Sequence, residues 1–237
     1  MRRGLFVTGT DTGVGKTLVS CSILSALRQR GRRLGVYKPA ETGCPRDETG
    51  HLYGEDCRRL LTAANSGQSE ASVASALYPI PAAPLVSAEA EGESLDPARL
   101  VADYEKLAGE YESVLVEGAG GLLVPIAEGF TFADLAEQLG LPVLVVVGSK
   151  LGCLNHALLT LSELERRGQP IAGYVLNSIE EEGLAPHATA TNREMLGRFG
   201  SCSDLGNMPF VAASERDAFE RLGQLAESAL ELDELPL

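Results

Sequence analysis

Apolar residues arrive along this chain in short runs rich in valine, leucine and isoleucine, and between the runs they recur at every third or fourth position. The first pattern predicts strands buried on both faces and the second predicts amphipathic helices. Their alternation points to parallel strands joined by crossover helices. Strands are expected over 5–8, 34–38, 114–117, 143–147 and 171–176, and helices over 16–29, 97–110, 132–139, 154–167 and 188–199, with a last helix near 215–230. Some boundaries carry their own signals: Gly31 and Gly168 follow helix ends, and Thr131 with Asp134 has the spacing of an N-terminal capping box.

The stretch 39–97 breaks this rhythm. Gly67, Ser69 and the run YPIPAAP at 78–84 interrupt any long period. It reads as an elaborated crossover with one helix over 56–64 and the remainder as loop over the substrate side of the sheet. No linker, internal repeat or low-complexity tract divides the 237 residues, so a single domain over 1–237 is expected.

Residues 9–17, GTDTGVGKT, lie between a predicted strand and a predicted helix. Gly9, Gly13 and Gly15 allow a tight turn whose N–H groups face an anion together with the positive end of the helix dipole. Lys16 is then placed to reach the β- and γ-phosphates of a nucleoside triphosphate, and the Thr17 hydroxyl to bind Mg²⁺. The expected fold class is therefore an α/β P-loop NTPase, three-layered, with a mainly parallel central sheet. The spacing G-x-x-x-x-G-K-[ST] would ask for glycine at position 10, where Thr10 stands. ParA/MinD-like ATPases carry a signature lysine that would fall on Asp11, and its absence argues against that nucleotide-switched group.

Other chemistry-bearing residues cluster at predicted strand ends, which open into the ligand crevice of such sheets. Glu117 closes the strand VLVE and could complete the Mg²⁺ shell, with the flexible Gly118, Ala119 and Gly120 after it. Asp56 is either a second metal carboxylate or a helix N-cap. Lys38 either aims its ammonium into the crevice or is a solvated strand end. Lys150 precedes a helix start at Gly152, Cys153, Leu154 and Asn155 that could hold another anion, such as a carboxylate. Asn177 ends a strand and could hydrogen-bond a base edge, although the Asn-Lys-x-Asp pattern that selects guanine is missing.

Composition narrows the function classes. A formal net charge of −13 works against nucleic acid or anionic lipid. The dense basic group Arg28, Arg30, Arg32 and Arg33 falls where the first helix should end and suits its C-terminal dipole. No apolar run is long enough to span a bilayer, and no signal peptide is expected. Five scattered cysteines form neither a zinc pattern nor a disulfide framework, so a reducing, cytoplasmic setting is expected. His51, His156 and His187 have no ligand-like spacing and receive no catalytic role.

Together, GTDTGVGKT, YKPAETG, VLVEGAGGLLVP, FTFADLA and VGSKLGCLNHALLT, with the strand closing on Asn177, resemble the dethiobiotin synthetase family, ATP-dependent cyclo-ligases of biotin synthesis. The resemblance runs from residue 5 to about residue 210. It implies that Gly13, Val14, Gly15, Lys16, Thr17 and Leu18 hold the triphosphate, and that Thr17, Asp56 and Glu117 bind Mg²⁺. Lys38 and Lys16 would be the catalytic lysines. Glu117 to Gly120, Asn177, Ser178, Met208, Pro209 and Phe210 would surround the nucleotide. Thr12 and Thr42 would touch 7,8-diaminononanoate, with Thr42 where serine is usual and Gly13 where some members carry an acid. A homodimer is implied, in which Lys150, Gly152, Cys153, Leu154 and Asn155 of one chain bind the substrate's distal carboxylate in the site of the other. Carbon dioxide and ATP would be the co-substrates. A cobyrinate-type amide synthetase is the remaining relative, but those enzymes add a glutamine-hydrolysing domain for which this chain has no room.

Overall fold

The structure, a computed structural model, describes residues 4–180 and 186–237. In chain order the elements are β1 (Gly4–Gly9), α1 (Lys16–Gln29), β2 (Gly35–Tyr37), β3 (Ala40–Thr42), α2 (Glu55–Ala64), β4 (Ala76–Tyr78), α3 (Pro84–Ala90), α4 (Pro97–Glu110) and β5 (Val114–Gly121). They continue with β6 (Pro125–Ala127), β7 (Phe130–Thr131), α5 (Phe132–Leu139), β8 (Val143–Ser149), α6 (Cys153–Arg166), β9 (Ile171–Ser178), α7 (Pro186–Phe199), β10 (Asp204–Met208) and α8 (Phe219–Ala229).

The main sheet has six strands in the order β10-β9-β8-β1-β5-β2, every pairing parallel. Its central strands are largely apolar because both faces are covered, and alternation along each strand decides which helices it meets. Leu5, Val7, Leu115, Leu144 and Val146 point to the face packed by α1, α2 and α8. Phe6, Val114, Val116, Val143, Val145 and Val147 point to the opposite face, under α4, α5 and α6. Three layers with a parallel sheet result, as the sequence pattern predicts.

Strand β1 lies between β5 and β8, so the chain leaving it toward α1 passes over the point where strand order reverses. Helix α1 is almost wholly buried, and its C-terminal end is fixed by Arg30, whose guanidinium donates to both carboxylate oxygens of Glu227 on α8 at 2.7 Å. Arg32 pairs with Glu112, and Arg33 donates to the Ser66 carbonyl and lies over the Tyr111 ring. The basic group thus does more than complement a helix dipole, since three of its four arginines tie α1 to its surroundings. The expected capping box closes the start of α5: Thr131 N–H donates to Asp134 at 2.7 Å, and Asp134 N–H to Thr131 Oγ1 at 3.4 Å. Gly31 and Gly168 adopt left-handed conformations after their helices, as expected.

Three expectations need correction. The crossover 39–97 is more ordered than a loop with one helix: β3 and β4 form a parallel pair, and α3 starts on Pro84, whose fixed φ and missing N–H suit a first helical turn. A sixth main-sheet strand, β10, escapes the pattern because DLGNM is polar and glycine-containing and pairs only at the sheet edge. The last helix begins at Phe219 rather than near 215, after a separate 3₁₀ turn at Ala213–Glu215. Among the described residues no helix is long and apolar enough to cross a membrane, and the five cysteines are free.

Candidate active site

Parallel register brings the charged strand ends together. Because β2 pairs with β5 at Val36↔Leu115 and Tyr37↔Val116, the next residues on each strand, Lys38 and Glu117, come level. Both follow at two-residue spacing a side chain on the α1 face, Val36 and Leu115, so both project toward the first turn of α1. Thr17 stands there and donates its hydroxyl to Glu117 Oε1 at 2.8 Å. The Lys38 ammonium donates to the same oxygen at 2.7 Å and to Asp56 Oδ2 at 2.6 Å. Its backbone is held too, the N–H donating to Val73 O at 2.8 Å.

Burial makes this cluster electrostatically tense. Lys38 is 2% exposed and Glu117 0%. Desolvation pulls the Lys38 ammonium toward neutrality, but Glu117, Asp56 and Glu41 outweigh it and hold its pKa above the usual lysine value. For Asp56, burial raises the carboxyl but Lys38 and a Thr17 hydrogen bond prevail and keep it below the usual range. Lys16, nearly buried at the start of α1, is pulled down to about 8 by desolvation and by Lys38, against the opposing pull of Glu117. Lys38 is therefore no solvated strand end. Nor is Asp56 an N-cap, since that position is Gly54 and the Asp56 side chain turns inward to Lys38.

The loop 9–17 wraps this cluster. Gly15 has φ +90, and a Cβ there would lie 2.1 Å from the Asn177 amide, which donates to Val14 O at 2.9 Å. Only glycine fits both demands. Asn177 thereby props the loop, while its Oδ1 is buried without a partner among the described residues. A cavity of about 360 Å³ opens over the loop, lined by Thr12, Gly13, Gly15, Lys16, Thr17, Leu18, Lys38, Thr42, Asp56, Ala119, Gly120, Asn177 and Ser178 from the expected set. It also takes in Glu41, Arg59, Ile179, Val211 and Arg216, which the sequence reading assigned no role. Arg59 was within reach of a helical argument, since it lies three residues beyond Asp56 on α2. Its guanidinium donates to Asp217 Oδ1 and Arg216 O, joining α2 to the segment that edges the outer cavity.

Other expected residues lie apart from that cavity. Val14 is buried in the core on the α1 face, and Gly118 packs against the Phe132 ring. Met208 is wholly buried in the core, Pro209 is exposed and Phe210 half-buried; none of the three lines the cavity. Lys150 reaches back to Asp11 at 3.4 Å, while Gly152 and Asn155 are exposed, Leu154 is half-buried and Cys153 is buried. A second cavity of about 530 Å³ adjoins the other side of the loop, lined by residues 9–12 and 121–125 together with His156, Leu159, Thr160 and Glu163. Leu123, Leu151 and Leu159 are exposed on this side of the molecule. The side chain of His187 lies outside the described residues.

The donor set can be tested against a divalent cation. Among the described residues no group of three or more His, Cys, Asp or Glu could hold a metal. What converges instead is one hydroxyl and two carboxylates, with Glu117 Oε2 buried and unpartnered among the described residues. Such a set fits Mg²⁺, which takes one or two carboxylates and completes its shell with water and phosphate oxygens.

Comparison with known proteins agrees with the geometry. A family model described as an AAA domain matches residues 3–218. The chain is 45% identical over 203 residues to the ATP-dependent dethiobiotin synthetase BioD of Anaeromyxobacter dehalogenans strain 2CP-C, covering 82% of this chain and 88% of that relative. It is 36% identical over 218 residues to ATP-dependent dethiobiotin synthetase BioD 1 of Escherichia coli O157:H7, covering 92% and 95%. Among solved structures, the MinC:MinD cell division protein complex of Aquifex aeolicus matches with a TM-score of 0.54 at 17% identity, covering 95% of this chain and 88% of that one; at such identity the likeness speaks for the fold alone. Sequence relatives at this identity and coverage, meeting a phosphate-binding loop and a buried lysine–carboxylate cluster, decide the matter: the chain belongs to the ATP-dependent dethiobiotin synthetase family.

Proposed function

We infer that this chain is an ATP-dependent dethiobiotin synthetase, which closes a cyclic urea on 7,8-diaminononanoate with carbon dioxide while ATP becomes ADP and phosphate. The observation that carries the reading is the Lys38 ammonium buried between Glu117 and Asp56 at the foot of the loop. A fixed cation beside the expected γ-phosphate suits phosphoryl transfer between two anions, where electrostatics and positioning supply the rate. Among the described residues no Ser, Cys or His is arranged as a nucleophile, and the reaction needs none.

In this reading one substrate amine takes up carbon dioxide to give a carbamate. Lys16, Lys38 and the loop N–H groups offset its charge against the triphosphate. A carbamate oxygen attacks the γ-phosphorus, ADP leaves, and a carbamic–phosphoric anhydride forms. The second amine then attacks the carbonyl carbon, phosphate departs with the bridging oxygen, and the ring closes. Thr17, Asp56 and Glu117 would hold Mg²⁺, which when bound neutralises phosphate oxygens. Thr12 and Thr42, at the cavity edge, would meet the diamine. Gly13, Gly15, Leu18, Ala119, Gly120, Asn177 and Ser178 would contact the nucleotide, with the whole chain acting as one synthetase domain in the cytoplasm.

The Lys150 to Asn155 segment, exposed at Gly152 and Asn155, would serve a partner chain's substrate. Leu123, Leu151 and Leu159 beside it supply apolar area for a homodimer. Sedimentation should give a dimer; a monomer at every concentration would remove the shared site.

Incubation with ATP, Mg²⁺, bicarbonate and the diamine should yield the cyclic urea by mass spectrometry, and ATP consumption without ring formation would refute the reading. Lys38→Ala is expected to lower kcat by about 10²-fold or more, and undiminished turnover would remove its role. Because Lys16 is pulled down to about 8, it loses its charge as pH rises through that value, whereas bound phosphates favour the charged form. Nucleotide affinity should therefore fall above pH 8 with proton uptake on binding, an effect absent in Lys16→Arg. An equal fall in that variant would mean that another group is responsible.

A further inference from the structure

The N-cap of helix α2 is Gly54, which has no side chain to cap it. Its first free N–H groups are taken instead by a carboxylate from another element: Glu41 of β3 accepts from Asp56 N through Oε1 and from Cys57 N through Oε2, each at 2.9 Å. The fit leaves no room for a side chain at the cap, since a Cβ on Gly54 would lie 2.4 Å from Glu41 Oε2. Glu41 is 7% exposed and edges the nucleotide cavity. Both its oxygens therefore have short, charge-assisted partners in a partly desolvated setting, where such bonds are strong and directional.

The consequence reaches the catalytic cluster. One of the two amides belongs to Asp56 itself, so the bond that caps the helix also fixes the backbone from which the Asp56 side chain reaches Lys38 at 2.6 Å. Nothing local to α2 does this, as the cap lies fifteen residues upstream on a strand paired with β4. We propose that Glu41 is a positioning residue for metal–nucleotide binding: it clamps the start of α2 and so holds the Asp56 carboxylate in register with Thr17 and Glu117. The proposal rests on the assignment of Asp56 to Mg²⁺. Outer partners that orient a metal carboxylate commonly alter affinity by about 10- to 100-fold when lost.

The test uses the full chain and its Glu41→Gln, Glu41→Ala and Asp56→Asn variants, with Mn²⁺ binding in the presence of ADP read by electron paramagnetic resonance and ADP binding measured without metal. Asp56→Asn should weaken Mn²⁺ binding most. Glu41→Ala should weaken it by about tenfold, and Glu41→Gln, which keeps one acceptor at the same length, by about threefold. Metal-free ADP affinity should stay unchanged in both Glu41 variants, and the Mg²⁺ concentration for half-maximal turnover should rise in the same order with a smaller change in kcat at saturating metal. If Asp56→Asn weakens the metal while both Glu41 variants match the unaltered protein, the proposal is overturned and the metal assignment stands. If Asp56→Asn itself binds Mn²⁺ normally, the metal assignment falls and takes the proposal with it. Should Glu41→Ala not fold, a Glu41→Gln variant with unaltered Mn²⁺ affinity suffices to overturn it.

Discussion

A lysine ammonium buried between two carboxylates is the constraint around which the site is organised. Lys38 could not remain charged at 2% exposure without Glu117 and Asp56, and the fully buried Glu117 accepts at Oε1 from both Lys38 and the Thr17 hydroxyl. Removing Lys38 would leave two carboxylates facing each other in a poorly solvated place. The four residues come from just after β2, from within β5 and from the starts of α1 and α2, so this small knot ties together four elements of the fold.

The sheet makes the knot possible by register rather than by local sequence. Parallel pairing of β2 with β5 sets Lys38 level with Glu117, and strand alternation turns both toward α1. The pairing of β1 with both β5 and β8 then puts the glycine loop directly above them, at the reversal of strand order. Asn177, from the end of β9, braces the loop from the other side through Val14 O. A phosphate seat and a fixed cation thus share one crevice, which suits transfer of a phosphoryl group between two anions more than its release to water.

Much of this was legible in the sequence because it is local. The loop's glycines, the apolar strands buried on both faces, and the Thr131–Asp134 cap each declare themselves within a few residues. What escaped depends on distant partners. From its own neighbours Asp56 could have been a helix cap; the structure removes that reading by putting Gly54 at the cap and Lys38 beside the carboxylate. Glu41 was assigned no role, because its two amide partners lie on an element no periodicity connects to it. Strand β10 carries too few apolar side chains to announce itself, and Met208 within it, expected near the nucleotide, instead fills the core.

The fold alone would not have distinguished this chemistry, since the same three layers occur in the MinD complex at 17% identity. In this chain the acceptor of the γ-phosphate is assigned to a carbamate. That claim is tested most directly by a single turnover started with carbon dioxide labelled with oxygen-18 in both positions, quenched before appreciable exchange with water, with the inorganic phosphate analysed by mass spectrometry. Transfer to a carbamate oxygen followed by ring closure predicts one labelled oxygen in the phosphate for each ring formed. Phosphate free of label, formed together with the ring, would contradict the account.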